Sequence, residues 1–517
     1  MRENFEQPLF PPPGKTPRED TAAVMKFYKL PRSFPREVLE EARRIPRPSS
    51  LVPHSSFSNR LDLRKKFIFT CDPVTARDYD DALSLETDRK GNRILGVHIA
   101  DVSHYVRPGT ALDREAYKRS TSVYLCDSVV PMLPEELCNG VCSLVPNEDR
   151  LAFSVFMTFD RNGEMVKREF AKSIIRSKAR FTYEQVMGII GKREEGRGKR
   201  EIGTIRALNE LAQQLRAKRF AAGALDLEVP EAEVILDRNG EMTGIVTRPY
   251  DESHQMIEEC MVAANEAVAK ELWTRGIKIL ARLHESPDPE KILMLRAELR
   301  GLGVKMGNIE NPKVFAQFLR SIKRNPLYPT LSTMILRSMK KAVYDSTTMG
   351  HFGLAKKYYA HFTSPIRRYP DLTLHRQLAA YLEKKNAKVP PKLLAKWAEH
   401  TSEREEIAAE AERGLLEIKK YRLLEEQLNS RQIIEYDAVI SKCMPFGCFV
   451  EIPELAVSGL VHVSLLSHKF VRFNESDQSL SAYGGGSWRT GDRMKVHVAK
   501  VDFRQRRIDF IPCARHR

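Results

Sequence analysis

The segment TCDPVTARDYDDALSLE, residues 70–86, separates two apolar runs and carries Asp72, Asp78, Asp80 and Asp81. Side chains alternate along an extended strand, so Asp78 and Asp80 would point one way and Asp81 the other. The four carboxylates therefore converge only if the segment curls. Convergence without a cation would raise their pKa values and cost stability. A divalent cation removes that cost, and Mg²⁺ prefers carboxylate oxygens together with water and phosphate oxygens.

Two interpretations of this acidic segment follow from its residues. In the first, the carboxylates bind two Mg²⁺ ions about 3.5–4 Å apart, which activate water and stabilise the leaving oxygen in phosphodiester cleavage. In the second, the segment is an acidic surface turn in which Arg77 forms a local ion pair. Taken alone, the segment favours neither interpretation.

The charge balance of the chain points to a polyanionic partner. Among 517 residues, 84 Lys and Arg outnumber 68 Asp and Glu, giving a formal net charge of +16. Such an excess favours nucleic acid or an anionic membrane surface. No stretch reaches the roughly 20 apolar residues that span a bilayer, and the N-terminus lacks the apolar core of a signal peptide. We therefore expect a cytoplasmic, monomeric protein that binds nucleic acid and no membrane.

The pattern of apolar residues divides the chain into three parts. Residues 1–50 form an N-terminal extension with a lead-in helix, capped at Ser33. Residues 51–430 combine short β runs with amphipathic helices, among them the helical patterns at 254–276 and 330–345. They end in a long charged helix, which predicts an α+β catalytic domain with a helical strut. Residues 431–517 return to short strands and predict a separate β-barrel. The segment GKREEGRGKREIG, residues 191–203, is rich in Gly and charge and predicts a solvated loop.

A second block, GHFGLAKKYYAHFTSPIRRYPDLTLHR, covers residues 350–376. Thr363 or Ser364 could cap a helical turn that begins at Pro365, with Arg367 and Arg368 just inside it. Free N–H groups and a guanidinium fork suit a phosphate, because the helix dipole and paired hydrogen bonds both favour an anion. The alternative is an ordinary helix start with two solvated arginines.

Together, the blocks at 72–86 and 350–376 resemble signature segments of the ribonuclease II/ribonuclease R (RNB) family, and the second block is most similar to the bacterial ribonuclease R type. Two long blocks in the right order are more specific than a short motif. The resemblance implies an RNB catalytic domain. It also implies a processive, hydrolytic 3′-to-5′ exoribonuclease that uses Mg²⁺ and degrades single-stranded RNA to nucleoside 5′-monophosphates.

The resemblance also assigns the charged residues of the site. Asp72, Asp78, Asp80 and Asp81 match the acidic set that binds the metal ions, and all four are present. Asp80 is assigned a catalytic role as well. Arg367 matches the arginine that binds a phosphate beside the active site. An intact acidic set argues against the alternative function, a catalytically silent RNA-binding regulator on the same scaffold.

Three further residues receive roles from the resemblance, each with a structural alternative. Tyr124 matches the tyrosine that orients the scissile phosphate at the terminal nucleotide, although a strand aromatic ordinarily fills a core. Glu258 matches a glutamate that contacts the terminal nucleotide, although a carboxylate on an amphipathic helix ordinarily lies on its solvated face. Tyr183 matches an RNA-contacting position, with a core position as its alternative. His98 and His104 are left out of the site, because a buried strand explains them and Mg²⁺ does not require imidazole.

The C-terminal barrel resembles an S1 domain, which is an RNA-binding module of the OB-fold type. Phe446, Phe449 and His462 are predicted to bind RNA there by base stacking, with nearby basic residues for phosphates. The alternative is that one of the two phenylalanines fills the barrel.

The chain departs from the family pattern in two places. Members commonly carry two cold-shock domains before the catalytic domain, and residues 1–50 are too short for them. Either this member lacks these domains or the sequence is an N-terminally shortened form. Leu227 stands where some relatives have an aromatic residue that clamps stacked bases. We therefore expect the C-terminal barrel to contribute more of the RNA binding than it does in relatives with all three barrels.

Overall fold

The structure, a computed structural model, is built around a central sheet of seven strands. It describes residues 10–46, 59–191, 198–226, 232–247, 250–307, 309, 311–325, 327–430, 433–475 and 478–513. In spatial order the strands of the central sheet are Leu61–Asp62, Met165–Arg176, Asp149–Phe159, Arg93–Ala100, Asp81–Thr87, Phe69–Cys71 and Ala179–Phe181. The outermost strand at each edge pairs in parallel with its neighbour, and the inner pairs are antiparallel.

Both faces of the central sheet are covered, which explains its continuous apolar strands. The middle strands Arg93–Ala100 and Asp149–Phe159 are buried along most of their length. One face packs against a core that includes the helix Glu252–Thr274, and the other packs against a second core that includes the helix Ala111–Arg119. Strands buried on both faces lose the polar and apolar alternation of a half-exposed sheet.

The helices surround this sheet and connect it to the C-terminal barrel. The α-helices of the described residues are Asp20–Phe27, Arg36–Arg43, Val102–Tyr105, Ala111–Arg119, Tyr183–Ile190, Lys199–Ala221, Glu252–Thr274, Pro289–Gly301, Pro312–Ile322, Tyr328–Ser338, Tyr369–Leu382, Pro391–Asn429 and Val463–Leu466. None of them is long and apolar enough to cross a lipid bilayer. The long charged helix after Pro390 is confirmed, as is the α+β class.

Three local predictions from the sequence are wrong. The predicted loop at 191–203 overlaps a helix that begins at Lys199, because Ile205 and Leu208 continue an apolar face that is buried in the core; residues 192–197 lie outside the described part of the chain. The lead-in helix begins at Arg36, with Pro35 and not Ser33 at its N-cap. His104 lies in the short helix Val102–Tyr105, because the strand that holds His98 ends at Ala100.

The C-terminal part is a closed five-stranded barrel, as the sequence predicted. Its strands, in order around the barrel, are Tyr436–Met444, Gly447–Ile452, Val457–His462, Arg507–Pro512 and Arg493–Asp502. Phe510 is fully buried and fills the interior, whereas Phe446 is 44% exposed and Phe449 is half-buried. Neither Phe446 nor Phe449 is therefore the core residue of the barrel. Three further strands, named here the outer sheet, pack on the barrel and are Val471–Asn474, Ser479–Ala482 and Ser487–Trp488.

Three two-stranded ribbons complete the fold. They pair Val123–Tyr124 with Val129–Val130, Ala232–Leu236 with Met242–Thr247, and Ala281–Leu283 with Val343–Asp345. The last strand corrects the sequence analysis, in which residues 330–345 followed one helical pattern: the helix Tyr328–Ser338 ends first. The ribbon formed by residues 232–247 contributes Val234 and Met242 to the hydrophobic core beneath the barrel.

A buried ion pair fastens the N-terminal segment to the long helix. Asp20 and Lys419 are both fully buried and lie 3.2 Å apart, and Arg422 donates two hydrogen bonds of 2.7 and 2.8 Å to Asp20. Removing one partner of such a pair leaves an uncompensated charge, which typically costs about 3–5 kcal/mol. We expect Asp20→Ala to lower the free energy of unfolding by about 3 kcal/mol, measured by urea denaturation. The double variant Asp20→Ala/Lys419→Met should regain part of that loss, and equal stability of Asp20→Ala and the unaltered chain would contradict the assignment.

Candidate active site

The acidic segment curls between two neighbouring strands of the central sheet. Asp72 directly follows the strand Phe69–Cys71, and Asp81 opens the strand Asp81–Thr87. Backbone contacts fix the end of the loop between them: Tyr79 N donates to Ser143 Oγ at 2.9 Å, and the carbonyl of Asp80 accepts a 2.8 Å hydrogen bond from Ala100 N. The chain thus follows the curl that convergence of the carboxylates requires.

Asp80 is the most buried carboxylate of the loop, at 4% exposure. Its Oδ1 accepts a 2.9 Å hydrogen bond from the backbone N–H of Ile366, and its Oδ2 lies 3.7 Å from Nε of Arg367. Burial raises the pKa of Asp80 well above its usual range, the charges of Arg367 and the Ile366 N–H oppose that shift, and Asp78 and Asp81 add to it. The two signature blocks of the sequence therefore meet at this side chain.

The other aspartates are electrostatic neighbours of Asp80 and of one another. Burial and the charge of Asp81 raise the pKa of Asp72, and burial raises the pKa of Asp81 against the pull of Arg367. Asp78 acts on both Asp72 and Asp80 and accepts a 3.3 Å hydrogen bond from the phenol of Tyr124. A cation bound at the loop would offset the burial and the mutual repulsion that raise these pKa values.

The donors of this loop fit a hard cation that keeps part of its water shell. Oδ2 of Asp72 and Oδ2 of Asp80 are buried and, within the described residues, accept no hydrogen bond. In the same part of the chain, no three His, Cys, Asp or Glu side chains form a ready ligand set. Mg²⁺ is typically held by one or two carboxylates plus water and substrate phosphate, so it does not need a complete protein cage. The surface-turn alternative is not supported, because Arg77 forms no ion pair with another described residue.

The two adjacent arginines of the second block have different surroundings. Arg367 is 47% exposed, beside Asp80, and its Nη2 donates to Ser364 Oγ at 3.2 Å. Arg368 is instead locked by two hydrogen bonds of 2.9 and 2.7 Å to the fully buried Asp371, which raises its pKa. Of these two arginines, Arg367 is thus the one available to an anion at the acidic loop.

The helical turn predicted at Pro365 is present, but it is a single turn and does not continue into a helix. Residues 365–367 form a turn in which the carbonyl of Ser364 accepts from the N–H groups of Arg367 and Arg368. The helix begins four residues later, at Tyr369, with Arg368 at its N-cap and a proline in its first turn. The N–H of Ile366 is therefore free to hold Asp80, and no helix N-terminus faces the site at this point.

Tyr124 lies at the edge of the acidic loop and not in a core. It is 40% exposed, its phenol donates to Asp78, and its backbone N–H donates to Glu412 on the long helix at 2.8 Å. Desolvation of the phenol, together with the charges of Asp78 and Asp80, raises its pKa. The core alternative for this tyrosine is thus excluded.

Tyr183 and Glu258 both lie near His254, and their partners are residues that the sequence analysis missed. The ring of Tyr183 stacks on His254 with centroids 3.9 Å apart, and its pKa is raised by burial and by charges that include Asp72 and Asp81. Glu258, one turn after His254, accepts from Tyr250 and from Arg219, the latter at 2.9 Å. Glu258 is thus held in place and is not a free carboxylate on a solvated face.

The sequence contains only a weak indication of where His254 lies. Asp251 caps the helix Glu252–Thr274 by accepting from Ser253 N, and it also holds Nδ1 of His254 at 2.9 Å. An Asp followed by an amphipathic helix predicts that cap. It does not predict that His254 stacks on Tyr183, which precedes it by 71 positions in the chain.

His98 is a structural residue. It is fully buried, and its two ring nitrogens lie 2.9 Å from Ser84 Oγ and 2.7 Å from Ser154 Oγ. Burial lowers its pKa to about 3, so the imidazole is neutral and its hydrogen-bonding capacity is used within the sheet.

Phe446, Phe449 and His462 lie on the surface of the C-terminal barrel, far from the acidic loop in the sequence. The rings of Phe446 and Phe449 meet edge to face, with centroids 6.1 Å apart. His462 is exposed, directly opposite Gly447 in the strand register, and its Nδ1 lies 2.8 Å from Ser464 Oγ. Phe449 lies two residues from Gly447 and so shares the face that carries His462. Phe446 packs against Phe449 and thereby joins the same surface.

Comparison with known proteins adds an independent line of evidence. The RNB domain matches residues 60–384, and the S1 RNA binding domain matches residues 435–511. Ribonuclease R of Thermotoga maritima is 41% identical, over 97% of this chain and 73% of that protein. Mycoplasma genitalium RNase R in complex with ribose methylated single-stranded RNA has a TM-score of 0.88 and 28% identity, over 96% of this chain and 78% of that chain. Yeast Ssd1, a pseudonuclease, has a TM-score of 0.69 at 21% identity, over 84% of this chain and 54% of that chain, and therefore shares only the fold.

Proposed function

The chain belongs to the RNB family and is a 3′-to-5′ exoribonuclease, and from this premise we propose that it degrades single-stranded RNA processively to nucleoside 5′-monophosphates with the help of Mg²⁺. The observation that carries the proposal is the contact between the two signature blocks, in which Ile366 N and Arg367 meet the buried Asp80. We also propose that the enzyme acts as a monomer.

We assign the acidic loop as the metal site, with Asp72, Asp78, Asp80 and Asp81 as the residues that hold two Mg²⁺ ions. When bound, the ions would activate the attacking water and stabilise the leaving oxygen. The buried Oδ2 atoms of Asp72 and Asp80, which accept no hydrogen bond within the described part of the chain, support this assignment. Asp80 is the catalytic member of the set, because its backbone and side chain are both fixed by hydrogen bonds and because it faces Arg367.

The other site residues would position the RNA. The exposed guanidinium of Arg367 can grip the scissile phosphate through two hydrogen bonds while the carboxylates lie on its other side. Tyr124, anchored to Asp78, would orient that phosphate from the loop edge. Tyr183, supported by the stacked His254, would contact the RNA, and Glu258 would contact the terminal nucleotide.

The proposal is tested by incubating RNA that is labelled uniformly along its length with the protein and Mg²⁺ and resolving the products over time. Mononucleotides from the first time point, with substrate either full-length or fully degraded, are expected of a processive exonuclease. Evenly shortened intermediates would remove processivity from the proposal. Internal fragments, or bound RNA that stays intact, would overturn it.

The affinity of the site for Mg²⁺ should rise with pH through the neutral range. The pKa values of Asp72 and Asp81 are raised above the ordinary value of about 4, so without a cation these groups hold protons at a pH where ordinary carboxylates are ionised. Mg²⁺ must displace those protons, so acid weakens its binding. Calorimetric titration with Mg²⁺ from about pH 5.5 to about pH 8.5 tests this expectation. The variant Asp72→Asn lacks one of the titrating carboxyl groups, so its affinity for Mg²⁺ should depend less steeply on pH. An affinity that is constant across this range would contradict it.

The barrel surface should affect the binding of long RNA and not the cleavage step. Phe446 and His462 lie on one exposed surface, and base stacking on an aromatic residue contributes about 1–3 kcal/mol per base. We expect Phe446→Ala/His462→Ala to raise KM for long single-stranded RNA about tenfold or more, with kcat unchanged. The control is Val166→Ala, an exposed apolar residue on the central sheet. A lower kcat with an unchanged KM would contradict this role of the barrel.

A further inference from the structure

The outer sheet of the barrel carries two aromatic rings that the proposed site does not use. Phe470 is 80% exposed and Tyr483 is 83% exposed, more than any other aromatic residue among those described. A fully exposed phenylalanine and tyrosine at one place form an apolar surface that a soluble protein does not need for its own fold. Their arrangement therefore calls for a ligand.

The strand register places the two rings side by side. Val471 pairs with Ala482 and Arg472 with Ser481, so Phe470 and Tyr483 are the next pair beyond this ladder, joined by a 3.0 Å hydrogen bond from Tyr483 N to the carbonyl of Phe470. Residues directly opposite in an antiparallel ladder project from the same face, about 5 Å apart at Cβ. The two rings thus project together from the outward face.

The inward face of the outer sheet holds this pair in place. Leu480 is fully buried, and Val471 and Phe473 pack against the hydrophobic core of the barrel. The third strand touches the barrel directly, since the carbonyl of Trp488 lies 3.5 Å from Sγ of Cys443. Cys443 precedes Phe446 by three residues on the strand that leads into its turn. The aromatic pair and the Phe446 surface are therefore parts of one packed module.

Positive charge and bare backbone border the pair. Arg472 is exposed and lies two residues from Phe470, so it shares the outward face. Lys469 reaches over the following turn, where a Cβ on Gly484 would lie 2.7 Å from its ammonium nitrogen. Gly484, Gly485 and Gly486 all have positive φ, at 88°, 121° and 101°, which only glycine adopts readily. The turn thus presents backbone without side chains next to a ring and an ammonium group.

We propose that Phe470 and Tyr483 form a second RNA-binding surface, on which two bases of single-stranded RNA stack while Lys469 and Arg472 contact the adjoining phosphates. This inference rests on the proposed ribonuclease function. It extends the path of a long substrate beyond Phe446 and His462. Rings that offer free faces, bordered by cations, match the combination of stacking and charge with which single strands are bound without sequence preference. The apolar surface would also suit a protein partner, but binding of an apolar protein surface would not explain the flanking cations Lys469 and Arg472.

The test separates ring stacking from apolar contact. In an Asp80→Asn background, which keeps RNA intact, Phe470→Leu/Tyr483→Leu preserves apolar area and removes both rings. We expect this variant to bind long oligoadenylate about tenfold or more weakly, since each stacked base contributes at least a factor of about five. A short oligoadenylate, defined as one whose affinity does not respond to Phe446→Ala, should bind as before. Tyr483→Phe, which keeps the ring, is the matched control and should behave as the parent chain.

Three results would overturn the proposal that Phe470 and Tyr483 form a second RNA-binding surface. One is unchanged affinity of the double leucine variant for long oligoadenylate; another is an equal loss on short and long RNA, which would indicate a displaced barrel. The third is a loss of affinity for long oligoadenylate when Phe470 and Tyr483 are replaced by alanine but not when they are replaced by leucine. That result would indicate an apolar protein-docking surface, in which apolar area and not the ring matters. Failure of the proposed ribonuclease function would appear separately, because the chain with native Asp80 would then leave even short oligoadenylate undegraded.

Discussion

Asp80→Asn is expected to lower kcat about 1,000-fold or more while RNA affinity stays within about threefold of the unaltered chain. Metal-assisted charge stabilisation supplies several kcal/mol to a transition state, and each 1.4 kcal/mol is a factor of ten in rate. The substitution removes the negative charge that faces Arg367 but keeps the shape of the side chain and an amide oxygen for the N–H of Ile366. Single-turnover rates in Mg²⁺ and binding by fluorescence anisotropy measure the two quantities separately.

The fold should tolerate this change, which makes the kinetic result interpretable. Burial already raises the pKa of Asp80, so a neutral side chain is less costly there than an ionised one. Asp88→Asn is the matched control, since Asp88 is partly exposed in the turn after the same strand and accepts from the backbone of Lys90 and Asn92. A near-normal cleavage rate for Asp80→Asn, or an equal loss for Asp88→Asn, would remove Asp80 from the metal site.

The sequence predicted the fold where local pattern and tertiary structure agree. Helical periodicity at 254–276 identified the helix Glu252–Thr274, and the short strand runs after residue 430 identified the barrel. It failed where tertiary contacts decide the outcome. Lys199 begins a helix in spite of its Gly-rich surroundings, because the apolar face that follows is buried against the central sheet. Local composition carries no information about such long-range burial.

The residues of the site also fall into two groups: those that the local sequence predicts and those whose roles depend on contacts with distant parts of the chain. The four aspartates were visible in the sequence because they lie within ten positions of one another. The separation of roles between Arg367 and Arg368 was not, since it depends on Asp371, which locks Arg368 and leaves Arg367 to Asp80. Stacking of His254 on Tyr183 likewise joins distant parts of the chain. Chemistry can be predicted from residue types, but the choice between adjacent identical residues requires the fold.

Arg367→Lys is expected to lower kcat about tenfold or more, and Arg367→Ala about 100- to 1,000-fold, the range found when one preorganised donor is removed from a charged transition state. Lysine keeps the positive charge beside Asp80 but loses the planar fork that grips a phosphate through two hydrogen bonds. It also loses the hydrogen bond from Nη2 to Ser364 Oγ that orients the guanidinium. Rapid-quench cleavage of a short oligonucleotide at saturating RNA isolates this step from binding.

The comparison of the two substitutions distinguishes a phosphate-binding arginine from a simple counter-charge of Asp80. If Arg367 acted only through its charge, lysine would retain nearly full activity and alanine alone would be impaired. If the fork itself binds the scissile phosphate, lysine must lose activity as well, because one ammonium group cannot donate two parallel hydrogen bonds. Arg275→Lys, at an exposed helix end where Arg275 pairs with Glu271, is the control for replacing a surface arginine. Full activity of Arg367→Lys would therefore leave Arg367 as a counter-ion and require another donor for the phosphate.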